Sequence, residues 1–244
     1  MEPGVELTAR YTAAVEHARL AHQGVARKGT GVPYLAHVVM VSGLVLEHGG
    51  DEDQAIAGLL HDVAEDAGGA ARLDDIAREF GQGVADIVRD CSDSLVADRS
   101  GKEAWWPRKV RYLDHLGRVG DRSLLVSAAD KTHNCEAIVA DYREHGEDLW
   151  SRFNPDAGRA GQMWYQRRVA EVLGGRPAVP PRLAARLRAA IDELTDLVQA
   201  RIGEAALAED RATASEREAA ARAGLALPAG AGWLRRRWRR TRRR

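Results

Sequence analysis

The chain has 244 residues, of which 45% are hydrophobic, enough to bury one sizeable core. Its two cysteines match no zinc-ligand spacing and no N-terminal stretch resembles a signal peptide or a membrane span, so the sequence predicts a cytoplasmic protein with reduced thiols. The net charge of zero conceals an asymmetry, because residues 233–244 hold eight arginines whereas the other 232 residues hold 28 basic and 36 acidic side chains. An anionic ligand of this acidic body therefore requires local positive charge, from a metal ion or from a few placed cations.

Apolar residues recur at spacings of three and four along nearly the whole chain, and no run alternates as a strand would, so the sequence predicts an all-α fold. The predicted helices cover residues 6–26, 36–48, 52–66, 73–80, 83–93, 103–117, 122–145, 158–173, 180–201 and 204–222. The segment GGRPAVPP at 174–181 interrupts this pattern. It predicts a core domain (1–175), a C-terminal helical extension (176–223) and an arginine-rich tail (224–244).

The predicted helix 52–66 carries the densest set of reactive side chains, because HDVAED at 61–66 places one histidine and three carboxylates in six positions. At about 100° per residue, Glu65 lies about 40° from His61 on the polar face of a continuous helix. A surface helix with an acidic face is one explanation of this pattern. Glu65 and Asp66, however, lie in the last turn, where the helix dipole disfavours carboxylates. A bound cation would reverse that penalty, which favours a functional site.

Two further polar residues stand out against apolar or loop sequence. His37 follows the basic loop RKGTGVPYLA, and Asp130 follows the largely apolar run SLLVSAA. A carboxylate in such surroundings is either buried with a partner or bound to a metal. Together with His61 and Asp62 these residues supply two imidazoles and two carboxylates, a mixed set that suits Mn²⁺, Fe²⁺, Co²⁺ or Zn²⁺.

The ordered stretches RKGTGVPYLAH (27–37), HDVAED (61–66) and DKTHN (130–134) resemble the HD superfamily of metal-dependent phosphohydrolases. Within it they are similar to the hydrolase domain of RelA/SpoT alarmone enzymes, including small stand-alone relatives, over roughly residues 7–172. The resemblance implies an HD-domain helical bundle and a nucleotide substrate. It also implies hydrolysis of the 3′-pyrophosphate of guanosine tetra- or pentaphosphate by metal-activated water.

The same resemblance implies roles for individual residues. One metal ion, usually Mn²⁺, is bound by His37, His61, Asp62 and Asp130. The acidic pair that orients or deprotonates the attacking water is Glu65 and Asp66. The nucleotide is contacted by Arg27, Lys28, Asn134 and Tyr165. Glu136 stands where alarmone hydrolases commonly have an arginine, which predicts weaker binding of a highly charged ligand, and His133 is interpreted as an ordinary surface or core histidine.

Two other functions stay open at this point. A broader HD nucleotidase or phosphatase would release inorganic phosphate, and a nucleotide-binding sensor would release nothing. The intact acidic pair favours an enzyme. The arginine-rich tail is interpreted as a solubility tail, as an arm for nucleic acid or acidic lipid, or as a poorly defined gene end, and the sequence does not specify an oligomeric state.

Overall fold

The computed structural model describes residues 5–66, 69–95 and 103–225, and within these ranges it contains no β-strand, which confirms the all-α prediction. The helices are α1 (Ala9–Ala21), α2 (Tyr34–Glu47), α3 (Glu52–Leu60), α4 (Val63–Asp66), α5 (Ala70–Phe80), α6 (Gln82–Cys91), α7 (Trp105–Leu116), α8 (Asp121–His145), α9 (Gly158–Gly174), α10 (Pro181–Ile202) and α11 (Glu204–Arg222). A 3-10 helix (Gly146–Arg152) follows α8. Among the described residues, no helix combines the length and the apolar composition required to cross a bilayer.

Local sequence explains where several helices begin. The Thr8 side chain accepts a hydrogen bond from the Arg10 N–H at the start of α1. A capping box opens α3: Asp51 accepts from the Gln54 N–H at 2.9 Å, and the Gln54 side chain accepts from the Asp51 N–H at 3.0 Å. Pro181 occupies the first turn of α10, directly after the predicted break.

The prediction of one continuous helix over residues 52–66 is wrong. Helix α3 ends at Leu60, α4 begins at Val63, and His61 and Asp62 lie in the turn between them. The 40° separation expected between His61 and Glu65 therefore does not apply. Gly58 allows this end of α3 to lie against α2, because a Cβ atom at position 58 would lie only 3.1 Å from the backbone of that helix.

Helix α8 is the central element of the bundle. It packs against α2, α3, α6, α9 and α10, and its middle is lined with buried apolar residues. Asp130 lies among them with only 3% of its surface exposed. A carboxylate at this depth costs free energy unless cations or strong donors surround it. The fold thus places one predicted metal ligand where a compensating charge is required.

The two C-terminal helices pack on the outside of the bundle, α10 against α8 and α9, and α11 against α9 and α7. Leu183, Leu187 and Leu194 of α10 are buried in the same hydrophobic cluster as the residues of α8. The division of the chain at residue 176 stays a prediction. The predicted tail lies, from residue 226 onward, outside the described residues.

Candidate metal centre

Three segments bring the four predicted metal ligands together: the first turn of α2, the turn after α3, and the middle of α8. His61 Nε2 lies 3.0 Å from Asp62 Oδ2 and 3.5 Å from Asp130 Oδ1. His37 Nε2 lies 3.7 Å and 3.3 Å from the same two oxygens. One ligand atom each from His37, His61 and Asp62 all lie within 4.8 Å of one another. These distances place two imidazole nitrogens and two carboxylate oxygens around one point.

The donor set fits a divalent cation. The Nε2 atoms of His37 and His61 are buried and have no hydrogen-bond partner, a costly arrangement that a bound metal ion would relieve. Burial lowers the pKa of His61, but the carboxylates of Asp62 and Asp130 outweigh burial and raise it well above its ordinary value. The site therefore favours an added positive charge, and a metal ion would supply it in place of a proton.

Each histidine ligand is held at its other ring nitrogen. His61 Nδ1 donates to the Gly58 carbonyl oxygen at 2.9 Å, which leaves Nε2 available to a metal. His37 Nδ1 lies 2.8 Å from His133 Nδ1, and Arg27 Nη1 lies 3.2 Å from that same His133 atom. Burial, together with His37 and Arg27, lowers the pKa of His133 to about 4. The interpretation of His133 as an ordinary histidine missed this contact, because nothing in the sequence connects it to His37.

The two carboxylate ligands are also held by donors. The Tyr34 hydroxyl donates to Asp62 Oδ2 at 2.5 Å. Lys131 Nζ and Asn134 Nδ2 donate to the two oxygens of Asp130, each at 2.5 Å. Although burial raises the pKa of Asp130, Lys131 and the neighbouring histidines hold it well below its usual range. Such outer contacts fix the orientation of metal ligands and keep the carboxylates ionised.

A cavity of about 520 Å³ adjoins these ligands through Tyr34, Lys131 and Asn134. Its cationic wall, named here the basic wall, consists of Arg27, Lys28, Arg108, Lys109, Lys131 and Arg152. Only two acidic residues, Glu65 and Asp141, line the same cavity among the residues that the structure describes. The volume suits a nucleotide, and the wall supplies the local positive charge that the acidic body of the chain needs to bind an anion.

The four predicted nucleotide-binding residues, Arg27, Lys28, Asn134 and Tyr165, all line this cavity. Glu65 also lines it, and its Oε2 accepts a hydrogen bond from the Asp93 N–H at 3.3 Å. Asp66 ends α4, and its side chain lies outside the described residues. One member of the predicted acidic pair is therefore placed at the cavity, next to the ligand-bearing turn.

Part of the basic wall comes from α7, which sequence reasoning did not connect to the site. Lys109 Nζ lies 4.6 Å from the centroid of the Tyr165 ring and donates to Asp93 Oδ2 at 2.5 Å. Arg108 donates to the same oxygen. Although burial raises the pKa of Asp93, Lys109 and Arg108 hold it far below its usual range. No short motif marks these three residues, because they meet only when α7 packs beside the loop after α6.

The loop between α1 and α2 carries Arg27 and Lys28 and is named here the substrate loop, residues 27–33. An isolated antiparallel bridge between Ala26 and Pro33 closes its base. Gly29 has φ +75°, a conformation that favours glycine, and a Cβ atom there would lie 2.4 Å from Arg152 Cδ and displace that side chain.

Glu136, the residue at which the sequence differs from the family pattern, lies outside the cavity. Glu136 forms a bidentate ion pair with Arg186 of α10, with distances of 2.6 and 3.0 Å, and it is not among the lining residues. Its negative charge is compensated locally. Glu136 therefore does not face an anion in this cavity, and its effect on anion binding stays a prediction.

Known proteins are similar to this chain in sequence and in fold. The HD domain family model matches residues 14–163. The bifunctional (p)ppGpp synthase/hydrolase SpoT of Escherichia coli (strain K12) is 35% identical over 171 residues, which cover 68% of this chain and 24% of that protein. The probable chloroplastic GTP diphosphokinase RSH3 of Arabidopsis thaliana is 33% identical over 129 residues, which cover 52% of this chain and 18% of that protein. The chain thus spans about a quarter or less of the curated relatives that it matches.

One solved structure extends this likeness to the fold. It belongs to a metazoan ortholog of SpoT that hydrolyses ppGpp and plays a role in starvation responses. The two folds agree with a TM-score of 0.62 at 24% sequence identity, over 78% of this chain and 98% of the other. At this identity the likeness shows a shared helical architecture.

Proposed function

Because the chain belongs to the HD-domain family, whose model matches residues 14–163, we propose that it is a metal-dependent phosphohydrolase that acts on a nucleotide. In its sharpest form, the substrate is guanosine-3′,5′-bis(diphosphate) and the product is pyrophosphate released from the 3′ position. One observation carries this proposal: two buried imidazole nitrogens without partners face two carboxylates beside a cavity lined by six cations. The similarity to SpoT supports the choice of substrate.

His37, His61, Asp62 and Asp130 would hold the metal, and Mn²⁺ is the ion that we propose. When bound, a divalent ion acidifies water and offsets the charge of phosphoryl oxygens. The basic wall binds the polyphosphate, since lysine and arginine side chains donate to phosphate oxygens. Glu65, at the cavity and three residues after Asp62, accepts the proton of the attacking water. Asp66 supports Glu65 in this role, as the family resemblance implies.

A metal-by-nucleotide activity screen tests the proposal. The full chain is freed of metal with EDTA, supplied with Mn²⁺, Mg²⁺, Co²⁺ or Zn²⁺, and offered guanosine tetraphosphate, nucleoside triphosphates and monophosphates. The expected result is Mn²⁺-dependent release of pyrophosphate from guanosine tetraphosphate. Release of inorganic phosphate from monophosphates would favour a broader HD nucleotidase. Tight binding without turnover under every metal would favour a nucleotide sensor.

The arginine-rich tail adds a second, weaker element, an anionic partner that is either nucleic acid or acidic lipid. Eight arginines without an acid in residues 233–244 support it. The full chain and a version ending at residue 225 are compared for binding to single-stranded RNA and to phosphatidylserine vesicles, at low and high salt. Equal binding by the two versions would remove the tail from the proposal. The cytoplasmic location stays a prediction.

A further inference from the structure

The two histidine ligands are held in different ways. His61 donates to a backbone carbonyl oxygen, an arrangement that has one direction only. His37 instead meets a second imidazole, with 2.8 Å between its Nδ1 and the Nδ1 of His133. Two imidazoles joined in this way share one proton, which can be bonded to either ring. The ring to which this proton is bonded sets the tautomer of His37, and the tautomer decides whether His37 can bind a metal.

Arg27 removes this ambiguity. Its Nη1 lies 3.2 Å from His133 Nδ1, and a guanidinium can only donate. His133 Nδ1 therefore presents its single lone pair as an acceptor that Arg27 and His37 share, and the proton of the short contact belongs to His37 Nδ1. His37 then has a free lone pair on Nε2, the atom that faces Asp62 and Asp130. In the reverse arrangement, His37 would carry its proton on Nε2, where it would block a metal.

Building on the proposed function, we propose that Arg27 and His133 form a positioning pair that fixes the metal-binding tautomer of His37. The pair also ties the metal centre to the substrate loop. Arg27 Nη2 donates to Asn134 Oδ1 at 3.1 Å, and Asn134 donates to Asp130. The Arg27 N–H donates to the Val32 carbonyl oxygen at 2.8 Å within the substrate loop. Metal affinity therefore depends on the position of this loop, and by linkage a nucleotide that moves Arg27 changes metal affinity.

The direction in which one substitution changes metal affinity distinguishes this positioning role from a purely electrostatic one. Arg27 is a cation near a site for a cation, so its charge alone opposes metal binding. Removing that charge in Arg27→Ala would tighten metal binding if charge were its only influence. A positioning role predicts the opposite, because the tautomer of His37 is no longer fixed.

The test measures Mn²⁺ binding to the nucleotide-free, full-length protein by isothermal titration calorimetry, with no turnover involved. Arg27→Ala and His133→Ala are expected to weaken Mn²⁺ binding by about 10- to 100-fold, as loss of an outer-shell partner typically does. Arg152→Ala is the matched control, since Arg152 lines the same cavity but pairs with Asp141. It is expected to leave Mn²⁺ affinity unchanged or slightly tighter. Thermal melts in EDTA check that each variant folds.

Two polar variants at position 133 keep the test decisive if His133→Ala fails to fold. In His133→Asn, the amide oxygen takes the place of Nδ1 and can accept the proton of His37, so most of the affinity is expected to return. In His133→Gln, the amide oxygen reaches the place of Nε2 instead, so affinity is expected to stay low. Equal Mn²⁺ affinity of the Asn and Gln variants would overturn the positioning role.

The outcomes distinguish this inference from the proposed function. Wild-type affinity or tighter binding in Arg27→Ala overturns the positioning pair and leaves the hydrolase proposal standing. Weakened Mn²⁺ binding in a protein that cleaves no nucleotide supports the pair and overturns the hydrolase. A wild-type chain that binds none of Mn²⁺, Mg²⁺, Co²⁺ and Zn²⁺ overturns both.

Discussion

The metal centre and the basic wall are adjacent, but they are built for ligands of opposite charge. The metal centre has two carboxylates and two imidazoles, of which only Asp62 is partly exposed, and each candidate ligand has an outer partner. The basic wall has six cations and lines an open cavity. A cation site alone does not explain the six cations of the wall, and an anion site alone does not explain the two carboxylates. Together they are complementary to a divalent cation bound beside a polyphosphate, and this contrast predicts that the two functions can be damaged separately.

The largest effect is expected at the metal centre. Asp130→Asn keeps the shape of the side chain but removes its charge, so Mn²⁺ binding should be lost and hydrolysis should fall by at least about 1,000-fold. Glu136→Gln, on the same helix but paired with Arg186 outside the cavity, is the matched control. Calorimetry and pyrophosphate release measure the two effects. Near-normal hydrolysis by Asp130→Asn would mean that the buried carboxylate is structural.

A smaller effect is expected at the basic wall, where a substitution should weaken nucleotide binding and leave Mn²⁺ binding unchanged. Arg152→Ala should weaken nucleotide binding by about tenfold, equivalent to about 1.4 kcal/mol, while Mn²⁺ affinity is kept. Most of the change should appear in KM, since this cation holds the nucleotide in the ground state as well as in the transition state. Steady-state kinetics with guanosine tetraphosphate gives the division between KM and kcat. An unchanged KM would exclude Arg152 from the nucleotide site.

The third effect concerns pH and depends on Asp93, which neutralises two cations of the wall. Lys109 and Arg108 depress the pKa of Asp93 in the folded state, although burial opposes them. The stabilisation is therefore fully present above the unfolded-state pKa of about 4 and is lost as the pH falls below that value. Wild-type protein should lose about 1 kcal/mol more stability between pH 6 and pH 3 than Asp93→Asn. Urea unfolding across this range measures it, and parallel pH profiles would contradict the pairing.

The smallest expected effect is that of salt. Raising the ionic strength should weaken nucleotide binding several-fold, because salt screens the attraction between a polyanion and the cations of the basic wall. Mn²⁺ binding should change less, since three of the four candidate ligands, His37, His61 and Asp130, are buried. Titrations of both ligands at about 50 mM and about 500 mM KCl compare the two salt dependences. An equal salt dependence would contradict the role of the basic wall in binding a polyanion.

Sequence reasoning reached the proposed metal ligands because HDVAED and the isolated Asp130 are unusual in apolar surroundings. It missed the break at His61 because the apolar period continues through residue 63. The break itself is small, since His61 keeps helical angles, with φ −57° and ψ −31°. It missed His133, Lys109 and Asp93 for another reason. Their partners are distant in sequence, so only the packing of α2, α7 and α8 brings them together.

The most direct test of the account is the position of the metal itself. A crystal of the full chain grown with MnCl₂ should show, in anomalous diffraction at the manganese edge, one ion bound to His37 Nε2, His61 Nε2, Asp62 and Asp130. An ion at other residues, or none at a saturating Mn²⁺ concentration, would contradict the proposed centre.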